Sequence, residues 1–381
     1  MKLLDRYLLR NFLEPFLICF FGFLAIWLVF DLGDNGPDFI EAHASIKQVA
    51  YFYLTQFPAI ILISLPVGLL LALLFCLSRM SRSNELISML TAGRSVIRII
   101  IPFVFVGALL TAVLAFINYE SAPHADAIKK VALEQITRGK KAGEKEAVEG
   151  YLFRDRQNDR TWFIKKLKPN SSALENVHIT QHDPSGGIQT KWYAKRAIFD
   201  AKTRSWTLER GLQIDLDPNG DVVKRTDFLA GAQKMTTWTE TPWRIASAQL
   251  EAQNLSVPEL KDYLRFNSDF PEVQLAPYRA YLYYRWAFPF QCLIVVFLAA
   301  PLAIVYSRRG VVGGVAGAIF LYAGLMLSTY LFLALGKGWR INAIAAAWIP
   351  NSIFFCIGMI LVYFKATNRD LPSFKFKLSR K

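Results

Sequence analysis

The chain has 381 residues, 53% of them hydrophobic and 19% charged, with a formal net charge of +14. The apolar residues cluster instead of alternating with polar ones, which argues against a soluble globular protein and for a membrane protein. Nucleic acid is not implied by the positive charge: residues 120–279 hold 25 Lys plus Arg against 22 Asp plus Glu, a balance of +3, and the other +11 lies on the membrane part, where it reports contact with anionic headgroups.

Six charge-free stretches run Pro15 to Phe30, Val49 to Ser78, Ile99 to Tyr119, Trp286 to Ser307, Gly310 to Gly336 and Ile341 to Phe364. Five reach the roughly 20 residues a helix needs to cross about 30 Å of hydrocarbon. The first reaches it if the chain enters at Asn11, with Glu14 at the headgroups. Lys2, Arg6 and Arg10 precede it as in a signal peptide, but Asp31-Leu32-Gly33-Asp34 follows Phe30 with no small-x-small cleavage pattern, so the stretch is read as a retained span. With the N-terminus inside, fifteen cations fall on the cytoplasmic flanks, among them Arg79, Arg82, Arg94, Arg98, Arg308, Arg309 and the tail from Lys365 to Lys381, against Lys47, Lys337 and Arg340 in the short outer loops. Both termini are therefore expected in the cytoplasm, with residues 1–119 and 281–366 each holding three spans and 367–381 a basic tail.

The loop between the second and third spans reads Arg79-Met80-Ser81-Arg82-Ser83-Asn84-Glu85-Leu86-Ile87-Ser88-Met89-Leu90-Thr91-Ala92-Gly93-Arg94-Ser95. It predicts a short helix over about 81–95, capped by Ser81 or Ser83, with Glu85 at the positive dipole end and Gly93 closing it. Leu86, Met89 and Leu90 share its apolar face, suited either to headgroups or to a cytoplasmic partner.

Residues 120–280 read as one soluble all-β domain. Leu212, Ile214 and Leu216 alternate with Gln213, Asp215 and Asp217 before an Asp217-Pro218-Asn219-Gly220 turn. Further short strands are expected at Gly150 to Arg154, Thr161 to Leu167, Val177 to Gln181, Thr190 to Phe199, Trp206 to Glu209, Val222 to Leu229 and Lys234 to Glu240, with turns at Asp155 to Asp159 and Asp183 to Gly187. Such a pattern favours a sandwich, jelly roll or open barrel. Ser256-Val257-Pro258-Glu259 has capping-box spacing and opens a short helix. Cys19, Cys76, Cys292 and Cys356 all lie in apolar spans, so the β domain has no disulfide framework.

In the fifth span, Gly310 and Gly314, and Gly313 and Gly317, form two G-x-x-x-G spacings that let helices approach, by intramolecular packing or along a mobile seam. No phosphate-loop, H-E-x-x-H or G-x-S-x-G pattern occurs, and His43, His124, His178 and His182 lack metal-ligand spacing. The span interiors offer no relay of ionisable groups for ion coupling, so energy is expected from another chain.

Leu4-Asp5-Arg6-Tyr7, the Ser83-Asn84-Glu85-Leu86 to Ala92-Gly93-Arg94-Ser95 loop, Arg308-Arg309-Gly310 and Trp348-Ile349-Pro350-Asn351, with three spans on each side of an insert, resemble the lipopolysaccharide-export permeases of the LptF/LptG (YjgP/YjgQ) family. The resemblance implies an inner-membrane subunit of an ABC-type exporter with no catalytic residues, metal or cofactor of its own, ATP being bound by a cytoplasmic ATPase dimer. It implies pairing with a paralogous permease, a periplasmic β-jelly-roll, and transfer of lipopolysaccharide to a single-span periplasmic lipid-accepting protein. Carried onto this chain, Glu85, Leu86, Met89 and Gly93 form the ATPase-coupling helix, with Leu86 and Met89 filling a groove. Gly310, Gly313, Gly314 and Gly317 let the gate between first and fifth spans move, and Trp162, Ile164, Trp206, Leu208, Ile214 and Arg285 lie on the lipid path. Asp31, Asp34, Asp38 and Glu41 stand where some members carry cations just outside the first span. Two other readings fit the pattern: a membrane-anchored sensor, and a lipid-modifying membrane enzyme that would use Glu14 and Arg285.

Overall fold

The computed structural model describes residues 3–125, 128–129, 132–133, 136, 148–155, 158–167, 173–183, 186–247, 251–268, 270–304 and 310–367. The Arg308-Arg309 pair, the tail from residue 368 and the middles of the two expected turns at 156–157 and 184–185 lie outside these residues. Two compact units result: residues 1–130, 252–261 and 272–381 form a helical unit, and residues 131–251 and 262–271 a β-rich one.

The helical unit holds α1 (Leu3–Glu41), α2 (Ile46–Arg82), α3 (Glu85–Thr91), α4 (Val96–Tyr119), α7 (Glu272–Ala287), α8 (Gln291–Ala303), α9 (Gly310–Lys337) and α10 (Ala343–Ala366). Among the described residues, six helical segments are long and apolar enough to cross a membrane. Their starts follow local chemistry. Ser45 opens α2 in a capping box with Gln48, Ser95 accepts from the Arg98 amide to start α4, and Asn342 accepts from the Ile344 amide to start α10.

Two spans run at least ten residues beyond the charge-free stretches that announced them. The first helix continues past Phe30 to Glu41, so Asp31, Asp34, Asp38 and Glu41 lie within it and not beyond its end. Asp31 is accommodated because Lys129 Nζ sits 2.7 Å from its Oδ1, and Phe39 packs edge-on to Phe52 at 5.2 Å. The fourth span begins at Glu272 instead of Trp286 and runs to Ala303 through a 3-10 turn at Phe288–Phe290, where Pro289 interrupts the hydrogen-bond ladder. Charge-free reading missed its first half because Arg279 and Arg285 look like boundary residues. Arg285 is buried, with Nη1 donating to Asn118 Oδ1 at 3.0 Å, Nε to Leu255 O at 3.2 Å and Nη2 to Gln253 O. Asn351 is likewise buried, donating to Ala287 O at 2.6 Å just before that turn.

The core of this unit centres on α2, α4 and α8, through Leu69, Leu73, Phe103, Val295, Leu298 and Ala299. The second and fourth spans are accordingly enclosed, whereas the first, fifth and sixth leave most of their apolar surface uncovered within the chain.

The β-rich unit is one six-stranded antiparallel sheet in which each strand pairs with its sequence neighbours, from β1 (Val148–Asp155), β2 (Arg160–Leu167), β3 (Ala173–His182), β4 (Ile188–Asp200) and β5 (Ser205–Leu216) to β6 (Val222–Met235). The segments expected as separate strands at Trp206 to Glu209 and Leu212 to Leu216 are one strand, bent where the register shifts between Glu209 and Gly211. At that bend a Cβ on Gly211 would collide with Tyr193 O, so only glycine fits. Lys234 to Glu240 is not a separate strand either: β6 ends at Met235, and the following chain leads to the short helix α5 (Pro242–Ser247).

One face of the sheet buries Tyr151, Phe153, Trp162, Ile164, Trp206 and Leu208, joined by Trp238 and Ile245 from the segment after β6. Trp162 lies 5.1 Å from Trp206 and 5.2 Å from Trp238 between ring centroids. Two ion pairs are sealed in with them. Arg160 Nη1 donates to both oxygens of Glu240 at 2.7 and 2.8 Å, and Arg244 reaches Asp155 at 3.2 and 3.3 Å. Ser256 and Glu259 make the expected capping box at the start of α6 (Val257–Phe266).

Candidate functional site

The short helix between the second and third spans is present as α3, but it is capped differently from the expectation. Helix α2 runs on through Ser81 to Arg82, which leaves Ser81 buried and unable to cap anything downstream. The Ser83 hydroxyl lies 3.2 Å from the carbonyls of Arg79 and Met80 and 2.9 Å from Glu85 Oε1, any one of which can take its single proton, and Asn84 turns the chain in the left-handed region at φ 60°. No side chain caps α3. At its other end Gly93, at φ +81°, closes a Schellman motif, with Gly93 N donating to Leu90 O at 3.0 Å and Arg94 N to Met89 O at 3.2 Å.

The apolar face of α3 points into the chain's own core. Leu86 is 2% exposed within the cluster that contains Leu8, Leu73 and Leu77, and Met89 and Leu90 pack against it. Leu86 therefore cannot fill a partner's groove in this conformation, because burying it there would forfeit its packing here. What α3 leaves outward is Ser88, Thr91, Ala92, Gly93 and Arg94. Two depressions flank it: one of about 490 Å³ bordered by Leu4, Tyr7, Ser88, Met89 and Arg94, and one of about 440 Å³ bordered by Ile87, Leu90, Thr91 and Lys365.

Glu85 faces a hydroxyl on each oxygen. Tyr7 Oη donates to Oε2 at 2.8 Å, and Ser83 Oγ stands 2.9 Å from Oε1. Two residues before Tyr7 on α1, Asp5 accepts from Arg98 Nη2 on α4, at 2.8 Å to each oxygen. Sequence reasoning found Glu85 but gave no role to Asp5, Tyr7 and Arg98. The available signal was polar groups at the start of two otherwise apolar helices, and it names no partner across 78 or 93 residues.

At Gly313 and Gly317 the glycine stripe of α9 makes no close helix contact within the chain. A Cβ on Gly313 would meet nothing within 4 Å, and one on Gly317 only Leu302 Cδ1 at 3.9 Å. Close approach occurs elsewhere, at Gly107 against Val296 at 2.8 Å and Gly358 against Phe297 at 2.7 Å. Near the stripe, α1, α2 and α9 border an open, largely apolar groove of about 980 Å³, lined by Cys19, Phe75, Val315 and Ile319 together with Arg79 and Arg82.

The residues expected along a lipid path are not brought together as one surface. Trp162, Ile164, Trp206 and Leu208 are fully buried in the β-unit core, Ile214 is half-buried on β5, and Arg285 belongs to the helical unit. Contact of acyl chains with the four core residues requires the segment carrying Trp238 and Ile245 to move. Among the described residues no group of His, Cys, Asp or Glu is arranged to hold a metal ion.

Set against known families, residues 6–363 match the family model described as lipopolysaccharide export system permease LptF/LptG. No curated protein matches the chain.

Proposed function

Because the chain belongs to the LptF/LptG family of lipopolysaccharide export permeases, a multi-pass transport component of the inner membrane, we propose that it extracts lipopolysaccharide from that membrane using ATP hydrolysed by a separate cytoplasmic ATPase dimer. In this reading it pairs with a paralogous permease, keeps both termini in the cytoplasm, and passes lipid through a periplasmic, jelly-roll-like β domain to a single-span periplasmic acceptor. The observation that carries the proposal is the family match across nearly the whole chain. The positive-inside distribution of Lys and Arg supports the sidedness.

Docking of the ATPase falls to the outward face of α3 around Ser88, Thr91 and Arg94, with Glu85, Leu86, Met89 and Gly93 fixing that face from behind. The first and fifth spans are the gate, and the glycines Gly310, Gly313, Gly314 and Gly317 let the seam between them move, Gly313 having open space where a Cβ would stand. A gate needs surfaces that are not locked into the chain's own core, and α1 and α9 are the long helices with that property beside the 980 Å³ groove.

The test is co-purification of the permease with its ATPase, followed by Glu85→Ala. Loss of ATPase association or of coupled lipid release is the expected result, whereas unchanged binding and release would remove α3 from the coupling role. Stimulation of ATP hydrolysis by lipopolysaccharide in the purified complex separates an exporter from a membrane-anchored sensor, which predicts none.

A further inference from the structure

The seven residues of α3 are too few to hold a helix by their own hydrogen bonds, so their position is set by what they touch. They touch two things: the packed core, through Leu86, and the first helix, through the Tyr7–Glu85 hydrogen bond of 2.8 Å. The first helix is also tied to the start of α4, through Asp5 and Arg98. Both partners on α1 lie in its opening turns, so the same few residues bind both ends of the α2–α4 connection.

That arrangement matters because of what α1 is. It is one helix of 39 residues, about 58 Å long at 1.5 Å per residue, and it is the least enclosed of the six long helices. Its far part carries the Asp31–Lys129 ion pair at 2.7 Å and packs edge-on against α2 through Phe39 and Phe52. A long helix gripped in its opening turns, lying along α2 through Phe12, Phe16 and Phe20 and uncovered on its other faces, converts a displacement at the grip into a movement of the span.

We infer that Tyr7 and Asp5 are positioning residues that make α1 and α3 move as one body, so that displacement of α3 is delivered directly to the first span. The inference rests on α3 being the ATPase-docking helix, and it assigns Glu85 a second duty: its carboxylate is the rivet between the docking helix and the gate. The phenolic hydroxyl is the specific group required, since the Tyr7 ring alone cannot hold the Glu85 oxygen. Likewise the Asp5 carboxylate is required because Arg98 engages both of its oxygens.

The experiment uses the full permease complex in proteoliposomes, with lipopolysaccharide as the transported lipid, and reads lipid released per ATP hydrolysed together with ATPase co-purification. Tyr7→Phe keeps the ring and removes only the hydroxyl, Asp5→Asn keeps the shape and removes the charge, and Asp5→Glu restores a carboxylate. Release per ATP is expected to fall at least about fivefold in the Tyr7→Phe, Asp5→Asn double variant, the lower end of a typical coupling free energy, and to recover in Tyr7 Asp5→Glu chains. An unchanged ratio in the double variant overturns the inference, and so does loss of ATPase co-purification in Tyr7→Phe, which would make Tyr7 part of the docking surface instead. Loss of docking in Glu85→Ala beside an unchanged ratio in the double variant would sink the rivet and leave the docking assignment standing. Retained docking and release in Glu85→Ala would sink the docking assignment itself.

Discussion

Glu240→Ala removes a carboxylate with no solvent exposure from the β-rich unit. Arg160 Nη1 donates to both of its oxygens at 2.7 and 2.8 Å, and Trp162 Nε1 donates to one of them at 3.2 Å. Truncation would leave the Arg160 side chain, 9% exposed and stacked 4.6 Å from the Trp238 ring, with an uncompensated buried charge. Breaking one side of such a pair costs about 3–5 kcal/mol, a large part of the roughly 5–15 kcal/mol that holds a domain folded. For a unit of this size each kcal/mol lowers the melting temperature by about 3–4 °C, so a fall of roughly 10–20 °C is expected. The assay is thermal unfolding of the full chain in detergent, followed by tryptophan fluorescence, because Trp162, Trp192, Trp206 and Trp238 form one buried aromatic cluster. Arg160→Met with Glu240→Leu should recover most of the loss, since removing both charges removes both desolvation costs. A shift below about 2 °C for Glu240→Ala, within the range of ordinary surface substitutions, would show that the pair is not sealed in the core and refute the argument.

The glycines give a paired prediction. Gly358→Val forces a side chain into Phe297, whose Cβ stands 2.7 Å and backbone carbon 3.1 Å from the Cβ position, and should cost about 1–3 kcal/mol in the same melt, whereas Gly313→Ala meets nothing and should stay within about 0.5 kcal/mol. If Gly313→Ala were as damaging as Gly358→Val, the open placement of the stripe would be wrong. At the β4–β5 turn, the Thr203 hydroxyl and then the Lys202 amide hold the Asp200 carboxyl below its ordinary pKa. A depressed folded pKa stabilises the turn above the unfolded value and is lost as pH falls through the folded one, so exchange of the Lys202 amide should speed up relative to Asp200→Asn only on the way to strongly acidic pH. Equal protection of both chains at neutral pH would refute it.

How much of the site could be read in advance depended on the range of the interaction. Glu85, Gly93 and the helix between them follow from local rules, and so does the Ser256–Glu259 capping box, because caps and dipoles act within a few residues. The choice of Ser81 or Ser83 as the cap failed for a tertiary reason: packing of the α2 end against the core extends that helix by a turn, and the Ser83 hydroxyl faces the Arg79 and Met80 carbonyls and the Glu85 carboxylate instead of an α3 amide. In the fifth span the G-x-x-x-G spacing was visible, but whether another helix lies against it is not a property of the spacing, and close contacts fall on glycines outside it, Gly107, Gly336 and Gly358. Trp162 and Trp206 illustrate the same limit, since alternation marks an inward face without saying whether that face is a sealed core or an open groove.

The six membrane-length helices, the β-rich insert and the balance of charge between them are written in local composition, because burying apolar length and placing cations depend on residues within one segment. Which faces are used up depends instead on long-range packing. It turned Leu86 inward, joined Glu85 to Tyr7, hid Arg285 among carbonyls and sealed Glu240 against Arg160. Each of these pairings closes over tens of residues of chain, and a polar group's partner at that distance is selected by packing geometry, which no local pattern encodes.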